Sequence, residues 1–563
     1  MQKKKTTLVA VVGVALFVVM AIVGIGSVLG GGSQVEKPTF DDYGEVVSGA
    51  DLTTLADGLK YTTAELVKAP VEAGSTSSLY DELPEIDKYP LAVQGTGAVD
   101  IEIFTSGEKA GKNTDGWLIE VAQDFNRSGA KTANGASISM SVRSVPSGTA
   151  ADYVISMKAL PDLWTPSNEM FGEYAMVNGA PVQLYQARTV GNVAGILVKK
   201  DATYTSAQAV VDTVTSGSYN LGYTNPQTSA TGLNLLVQLL KDFGNDDITS
   251  EAAADTFSKF NNNIPFIAYT TQQMRDSATS GSLDGMVTEY QAYINDDSLK
   301  AQYKFIPFGM RHDNPLYLVS PSSKSQDELE AIDTIYRYIM SASSQDLATR
   351  YGFNANDDYQ SSYTTTGAEI SQALEIYKSE KDAGRDIIAV FVADCSGSMD
   401  GEPMLQLKQS LSNGMQYIND NNYVGLVSYS SDVVKEVPIA KFDFTQKSYF
   451  QGAINRLSAN GMTSTYEAMV VALKMIEEAK VDHPDAKCMM FLLSDGQANG
   501  HYSLDDISYA MKTSQVPVYT IGYTNSADTA ELARVSGINE AASISADADD
   551  VVYKIKTLFN AQL

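Results

Sequence analysis

A stretch in the second half of the chain joins an apolar run to three oxygen-bearing side chains. Residues Ile387 to Ala393 are all apolar, and Asp394, Ser396 and Ser398 follow at alternate positions. A short continuous apolar run predicts a strand that is buried on both faces of a parallel sheet. The polar side chains would then lie at the carboxyl end of that strand, where open α/β sheets bind ligands. One carboxylate and two hydroxyls form a hard-oxygen site, which suits Mg²⁺ better than Zn²⁺.

Two later stretches add further oxygen ligands. Thr463 lies in a polar loop before a helix predicted from Tyr466 to Lys480, and a second buried strand, starting near Cys488, ends at Asp495. Each piece alone is compatible with an ordinary polar turn. Together, the order Asp-x-Ser-x-Ser, then Thr, then Asp resembles the metal-ion-dependent adhesion site of von Willebrand factor A domains. The resemblance covers about residues 385–563.

The resemblance implies a ligand set and a cofactor. Ser396, Ser398 and Thr463 are the candidate hydroxyl ligands, and Asp394 and Asp495 would bind the metal directly or through water. Mg²⁺ is the expected ion, with Ca²⁺ and Mn²⁺ as alternatives. Because Mg²⁺ takes roughly six oxygens, this set leaves a position for water or for an acidic side chain of a protein partner. Neutral hydroxyls would also leave the ion electrophilic toward that acid.

Length and charge limit the classes of function. A chain of 563 residues predicts two or three domains. Its net charge is −28, with 68 acidic and 40 basic residues. That balance argues against nucleic acid as a partner, because phosphate binding needs a basic face. It also argues against adsorption to an anionic membrane surface. The excess acid fits an exposed ectodomain, and simple solubility is the alternative reading.

The spacing of the cysteines and histidines predicts neither a disulfide nor a zinc hydrolase site. Cys395 and Cys488 fall at opposite ends of two predicted strands, about two nanometres apart at ~3.3 Å per residue if the strands are parallel neighbours. A disulfide needs Cα atoms within about 7 Å, so we predict two free thiols. The three histidines, His312, His483 and His501, lie outside any HExxH motif. We therefore expect a binding protein and not an enzyme.

The amino-terminal residues carry a targeting signal. Lysines in residues 1–6 precede an uncharged stretch, residues 7–29, which is long enough to span a bilayer. Lysines before the span place residues 1–6 in the cytoplasm and the bulk of the chain outside the cell membrane. A cleaved signal peptide is the alternative, although its apolar core is usually only ~7–15 residues. Residues 30–98 are expected to form a stalk or linker that partly packs on the next domain.

Residues 99–358 are predicted to form a separate α/β domain. Three stretches, Phe104–Gly107, Asn225–Gly232 and Val287–Tyr290, resemble those of bacterial extracellular solute-binding proteins, which are two-lobed. The resemblance implies a cleft in which hydroxyls and helix starts hold a small solute. Helix amino ends attract anions, so an anionic solute is one candidate. The candidate ligand-binding residues are Ser106, Ser167, Thr228, Ser229 and Tyr290. Helix capping is the competing role for such residues, and the cleft would then be a scaffold without a solute.

The predicted architecture is α/β throughout. Residues 359–384 are expected to link the two-lobed domain to residues 385–563, where strands alternating with helices predict a doubly wound, mostly parallel sheet. The leading hypothesis is a membrane-anchored extracellular protein that docks a protein partner through a Mg²⁺ site. The alternative is a surface receptor for a small solute.

Overall fold

The computed structural model covers most of the chain after the predicted anchor. It describes residues 36–40, 46–71, 78–268, 274–275, 283–381, 385–495, 498–523, 527–539 and 543–546. The predicted cytoplasmic tail and signal anchor, residues 1–29, lie outside this set. Within the set, no helix is both long and apolar enough to cross a membrane.

The amino-terminal described residues form four short elements: β1 (Thr39–Phe40), β2 (Val46–Ser48), α1 (Leu52–Asp57) and β3 (Tyr61–Thr63). The next domain contains, in chain order, α2 (Leu79–Glu82), β4 (Leu91–Val93), β5 (Val99–Thr105), α3 (Gly107–Ala110), α4 (Trp117–Ser128), β6 (Ile138–Ser144), α5 (Ser147–Ser156), β7 (Leu163–Thr165), α6 (Met170–Val177), β8 (Val182–Gln186), β9 (Asn192–Lys199), α7 (Ala207–Thr215), β10 (Leu221–Thr224), α8 (Ala230–Gly244), α9 (Glu251–Asn262), β11 (Phe266–Ala268), β12 (Gly285–Glu289), α10 (Tyr290–Ile294), α11 (Asp297–Gln302), β13 (Tyr303–His312), β14 (Leu316–Val319), α12 (Gln326–Ile339), α13 (Ala342–Arg350) and α14 (Gly367–Glu380).

This domain has two lobes, each built on one sheet. The first sheet has six strands in the order β4-β6-β5-β7-β14-β8, and the second has five in the order β11-β10-β12-β9-β13. The chain crosses from the first sheet to the second after β8 and returns after β13. The two-lobed α/β arrangement therefore agrees with the sequence prediction.

The segment predicted as a linker, residues 359–384, differs from that expectation. Its helix α14 packs against α6 of the first lobe and against α8 and α9 of the second. Ile370, Ala373, Leu374 and Tyr377 lie on one face of α14 and are buried in the core shared by the lobes. Helical spacing of apolar residues gives α14 a buried stripe, so the helix belongs to the two-lobed domain.

The carboxy-terminal domain alternates strands and helices: β15 (Ile387–Asp394), α15 (Glu402–Gly414), β16 (Tyr423–Tyr429), β17 (Val433–Lys441), α16 (Phe444–Arg456), α17 (Thr465–Ala479), β18 (Lys487–Ser494), α18 (Leu504–Ser514), β19 (Val518–Tyr523), α19 (Thr529–Gly537) and β20 (Ser543–Ala546). Its sheet has the order β20-β19-β18-β15-β16-β17-β3. Every neighbouring pair is parallel except β16 with β17.

Strand β15 lies at the centre of this sheet and is buried throughout. Alternate residues enter different cores: Ala389 and Phe391 pack under one layer of helices, and Val390 and Val392 pack under the other. Helices therefore cover both faces, which is why the sequence of β15 is an uninterrupted apolar run. In the register with β18, Ile388 lies opposite Cys488, so Cys395 lies at the far end of the strand pair. Both cysteines are free thiols, as predicted.

Residues 46–71, which we call the strap, pack on the carboxy-terminal domain. Strand β3 adds a parallel edge to β17, and Leu55 of α1 is fully buried among residues of α17 and α18. The backbone N–H of Ala69 donates to the carbonyl of Ser448 at 3.0 Å. Strand β4, by contrast, pairs with β6 of the first lobe. The described part of residues 30–98, predicted as a stalk that partly packs on the next domain, thus packs on both folded domains and adds a strand to a sheet of each.

Gly452 on α16 provides a test of the strap. A Cβ at this position would lie 1.8 Å from the backbone oxygen of Val67. Glycine to alanine in a helix interior normally stabilises by about 0.5–1 kcal/mol. Overpacking against a backbone atom costs about 1–3 kcal/mol. Gly452→Ala is therefore expected to lower the free energy of unfolding of this domain, by about 1 kcal/mol, in urea denaturation. Gly537→Ala, which faces open space in α19, is the matched control, and a stabilising Gly452→Ala would contradict the strap packing.

Candidate functional site

The five predicted metal ligands converge at one edge of the carboxy-terminal sheet. Strands β15 and β18 are parallel neighbours whose register places Ala393 opposite Leu493. Asp394 and Asp495 therefore leave the sheet at the same edge. The Ser494 hydroxyl donates to Oδ2 of Asp394 at 2.7 Å, and the backbone N–H of Ser396 donates to Oδ1 at 2.8 Å. Both carboxylate oxygens of Asp394 are thus held in place.

The hydroxyl pair lies directly beyond the strand. The Oγ atoms of Ser396 and Ser398 are 3.1 Å apart. Ser396 is buried, whereas Ser398 is exposed on a short 3-10 turn, Gly397–Met399. Solvent therefore reaches the pair through Ser398.

The loop that carries Thr463 is hydrogen-bonded to this turn and to the loop that follows β18. The N–H of Gly397 donates to the carbonyl of Gly461 at 3.1 Å, and the N–H of Asn460 donates to the carbonyl of Cys395 at 2.8 Å. Gly461 has a φ of +72°, which favours glycine there. Oδ1 of Asn499 accepts from the Thr463 N–H at 2.7 Å, and the Asn499 N–H donates back to the Thr463 carbonyl at 3.0 Å.

The charge at this edge suits a cation. Burial raises the pKa of Asp394, and nearby Asp495 raises it further, against the lowering effect of the Ser396 and Ser494 hydrogen bonds. No lysine, arginine or histidine in the described part of the chain forms an ion pair with Asp394. Two buried carboxylates without a basic partner for Asp394, beside three hydroxyls, match the donor set that Mg²⁺ takes.

Cysteine and histidine ligands play no part in this arrangement. Burial raises the pKa of the Cys395 thiol to about 12, and the side chain packs in the core instead of facing the hydroxyls. Across the described ranges, no group of three or more His, Cys, Asp or Glu side chains gathers as a metal cluster. The candidate site instead combines two carboxylates with hydroxyls, which is an oxygen-only donor set.

A second candidate site is a cavity of about 290 Å³ between the lobes. Four of the five predicted solute-binding residues line it. The lining residues are Ser106, Gly107, Glu108, Gly111, Ser144, Pro146, Ser147, Ser167, Thr228, Ser229, Ala230, Thr231 and Glu289. Tyr290 is not among them, and its prediction as a ligand residue is corrected. Its ring packs against Tyr293 and Phe305 at the start of α10, because the turn from β12 into α10 directs Glu289, not Tyr290, to the cavity.

Two of the predicted residues also serve local structure. Ser229 caps α8 by accepting from the N–H of Gly232 at 3.4 Å, the competing role anticipated for such serines. Ser106 precedes α3 without capping it, and its hydroxyl donates to Oε1 of Glu108 at 2.5 Å. Ser167 also donates to that Oε1, at 2.9 Å.

Sequence reasoning missed the charged residues of the cleft. Lys109 is fully buried and its Nζ donates to Ser106, to Asn314 and to Glu108, at 2.5, 2.5 and 3.1 Å. Although burial raises the pKa of Glu108, the Lys109 ammonium and the hydroxyls of Ser106 and Ser167 hold it below its ordinary value. Glu108 directly follows the stretch Phe104–Gly107, and Glu289 directly precedes Tyr290. Each glutamate is thus the immediate neighbour of a residue that the sequence analysis had named.

Comparison with protein families separates the same two domains that the fold shows. Residues 386–560 match the family described as von Willebrand factor type A domain, and residues 110–354 match the family described as bacterial extracellular solute-binding protein. These assignments agree with both resemblances drawn from the motifs.

The chain spans about one sixth of the length of the relatives that it matches in sequence. Inter-alpha-trypsin inhibitor heavy chain H3 of Bos taurus is 27% identical over 147 residues, which cover 24% of this chain and 16% of that protein. A von Willebrand factor A domain-containing protein of Dictyostelium discoideum is 31% identical over 138 residues, covering 24% and 14%. Among solved structures, a periplasmic thiamin binding protein is 13% identical, with a TM-score of 0.39 and coverage of 51% and 97%.

Proposed function

We propose that this chain, in which a von Willebrand factor type A domain follows a bacterial solute-binding-like domain, is a membrane-anchored extracellular protein that docks a protein partner through a Mg²⁺-dependent adhesion site. The convergence of Asp394, Asp495 and the three hydroxyls at one sheet edge carries the proposal. Residues 7–29 would be the anchor, and the bulk of the chain would lie outside the cell.

In this proposal the chain holds the ion with oxygen atoms from three separate loops. Ser396, Ser398 and Thr463 would bind it through their hydroxyls, and Asp394 and Asp495 directly or through water. Bound Mg²⁺ supplies a coordination position for a partner's carboxylate; Ca²⁺ and Mn²⁺ have the same preference for oxygen. Ser494 and Asn499 position this set, since they hydrogen-bond to Asp394 and to the Thr463 backbone.

The docking role is tested with the full chain immobilised and exposed to surface proteins of the source cells. We expect a retained partner to be released by a chelator and restored by Mg²⁺. Retention should also fall at least tenfold with Thr463→Val, and a partner peptide in which the contacting Asp or Glu is amidated should not compete. If the amount of retained partner changes neither with chelator nor with Thr463→Val, the metal-dependent role is rejected.

A second role, as a receptor for a small solute, is favoured by the cavity between the lobes. Polar side chains from both lobes line it, which is how a two-lobed protein encloses a ligand. We propose binding rather than catalysis there. Ser106 and Lys109 pair a hydroxyl with an amine there. Burial lowers the pKa of Lys109, but the adjacent Glu108 carboxylate opposes that effect, and Nζ also donates to Asn314.

A further inference from the structure

Within the described residues, the cavity between the lobes exposes two carboxylates, while the ammonium group of Lys109 beside them is buried. Glu108 and Glu289 both line the cavity, whereas Lys109 is fully buried and does not line it. Among the described lining residues, Glu108 and Glu289 are the titratable ones. Lys109 interacts electrostatically with both carboxylates. One positive charge therefore faces two negative charges, and the negative groups are those a solute would meet.

Glu289 is surrounded by neutral donors. Its Oε1 accepts from Nδ1 of His312 at 3.0 Å and from the Thr231 hydroxyl at 2.8 Å, and its Oε2 accepts from Asn192 at 2.8 Å. These hydrogen bonds hold the carboxylate without neutralising it, provided that His312 is uncharged.

The amides around His312 fix its tautomer. The Nδ2 groups of Asn168 and Asn234 both lie 3.1 Å from Nε2 of His312. Asn234 cannot be turned around, because its Oδ1 accepts from the Met310 N–H and its Nδ2 donates to the Met310 carbonyl. Two N–H donors therefore face Nε2, which must accept, and the proton of the ring lies on Nδ1. The ring is neutral, so the lining keeps a net negative charge.

Glu289 occupies one place at which a helix start would attract an anion. It accepts from Thr231 in the first turn of α8, a position that favours negative charge. Glu108, which lines the cavity from the short turn α3, adds a second negative charge. A free oxyanion entering the cavity would meet like charges, which argues against the anionic solute that the sequence left as one candidate.

One carboxylate oxygen of Glu108 remains to accept a hydrogen bond from a solute. Ser106, Ser167 and Lys109 all bond to Oε1 of Glu108, so its Oε2 has no side-chain donor within the described residues. Glu108 is 7% exposed and lines the cavity, so its carboxylate can accept from a solute. No aromatic ring lines the described cavity, which removes the usual cage for quaternary ammonium groups. The lining therefore favours a cation that donates N–H bonds.

We propose that the cleft selects a small solute carrying a primary or secondary ammonium group, held between Glu108 and Glu289, and rejects oxyanions. This assignment of solute class rests on the proposed receptor role. It makes the receptor role specific, because it names the two side chains that discriminate between solutes.

The test is calorimetric titration of the full chain with five probes: ethanolamine, 1,4-diaminobutane, tetramethylammonium, sulfate and molybdate. We expect at least one of the two N–H-bearing amines to bind at least tenfold more tightly than tetramethylammonium and both oxyanions. Tight binding of an oxyanion with neither amine bound would overturn the solute class and leave the receptor role standing. Binding of none of the five would overturn the solute class, and a wider screen of neutral solutes would then decide the receptor role separately.

Glu289→Gln gives an independent readout, since it removes charge with little change of shape. Amine affinity should fall at least tenfold, while an exposed control on α9, Glu251→Gln, should leave it unchanged. The melting temperature without ligand identifies a variant that fails to fold; in that event Thr231→Val, which removes only one hydroxyl bond to Glu289, is titrated instead and should weaken amine binding severalfold. Unchanged amine affinity in a folded Glu289→Gln protein would contradict the proposal.

Discussion

Replacing Ser396 and Ser398 together by alanine is expected to weaken Mg²⁺ binding at least a hundredfold, or about 2.7 kcal/mol. The two Oγ atoms lie 3.1 Å apart and would supply two of the three hydroxyl ligands. Alanine removes only these oxygens, and the buried strand β15 that precedes them keeps its packing on both faces. Calorimetric titration of the full chain with magnesium chloride measures the change. The rise in melting temperature that Mg²⁺ produces by binding the folded state should disappear in parallel.

The matched control for this experiment is Ser514→Ala. Ser514 lies at the end of α18, where its hydroxyl donates to the carbonyl of Met511, so Mg²⁺ affinity should stay within twofold of the unmodified chain. Asn499→Ala is informative as well. It removes the acceptor of the Thr463 N–H, so it should weaken binding less than the double substitution does. A double variant that binds Mg²⁺ with unchanged affinity would remove Ser396 and Ser398 from the ligand set.

The convergence of the metal-site residues was predictable because it follows from local rules. An apolar run of this length requires burial on both faces, and only the central strands of a parallel sheet provide it. The carboxyl ends of neighbouring parallel strands meet at one edge, so Asp394 and Asp495 had to be near each other. The register of β15 with β18 bears this out residue by residue. The Thr463 loop was placed by the family resemblance, and its hydrogen bonds to Cys395 and Asn499 explain its position physically.

The strap could not be predicted, because its own sequence carries little of the signal. Strand β3 is exposed along all three residues, and α1 buries only Leu55 among its six residues. Neither pattern has the periodicity that marks an independent element. What fixes them is the edge of β17 and a groove between α17 and α18, several hundred residues later in the chain. Long-range pairing of this kind is decided by the partner surface and not by local preference.

In the cleft, the sequence located the right stretch but did not show which of two successive residues faces the cavity. The stretch Val287–Tyr290 was recognised, but the residue assigned to the solute was one position too late. Successive residues at the junction of β12 and α10 face opposite sides, so an error of one residue exchanges Glu289 for Tyr290. The error changes the chemistry from a phenol to a carboxylate. Together with Glu108, Glu289 gives the cleft a negative charge, whereas an anionic solute had been one candidate from the sequence.

Leu55→Ala is expected to destabilise the carboxy-terminal domain by about 3 kcal/mol, the middle of the range of roughly 2–5 kcal/mol for leucine in a close-packed core. Leu55 has no exposed surface and shares a core with residues of β15, α17 and α18. The Tyr502 hydroxyl also donates to the Leu55 carbonyl at 3.1 Å, so α1 is fastened through its backbone too. A fragment that begins at residue 385 lacks all of these contacts, and it should therefore be less stable than the same domain in the full chain.

Urea denaturation can assign this loss to one domain. Both tryptophans of the chain, Trp117 and Trp164, lie in the two-lobed domain, so their fluorescence transition should not move. Hydrogen exchange in β15 and β18 peptides should accelerate by about two orders of magnitude, as a loss of about 3 kcal/mol requires. Thr53→Ala, on the exposed face of α1, should leave both readouts unchanged. Equal exchange in Leu55→Ala and Thr53→Ala would mean that the strap lies on the domain without stabilising it. Faster exchange in Leu55→Ala alone would make residues 46–71 part of the domain, because only a segment that folds with the sheet can protect its central strands.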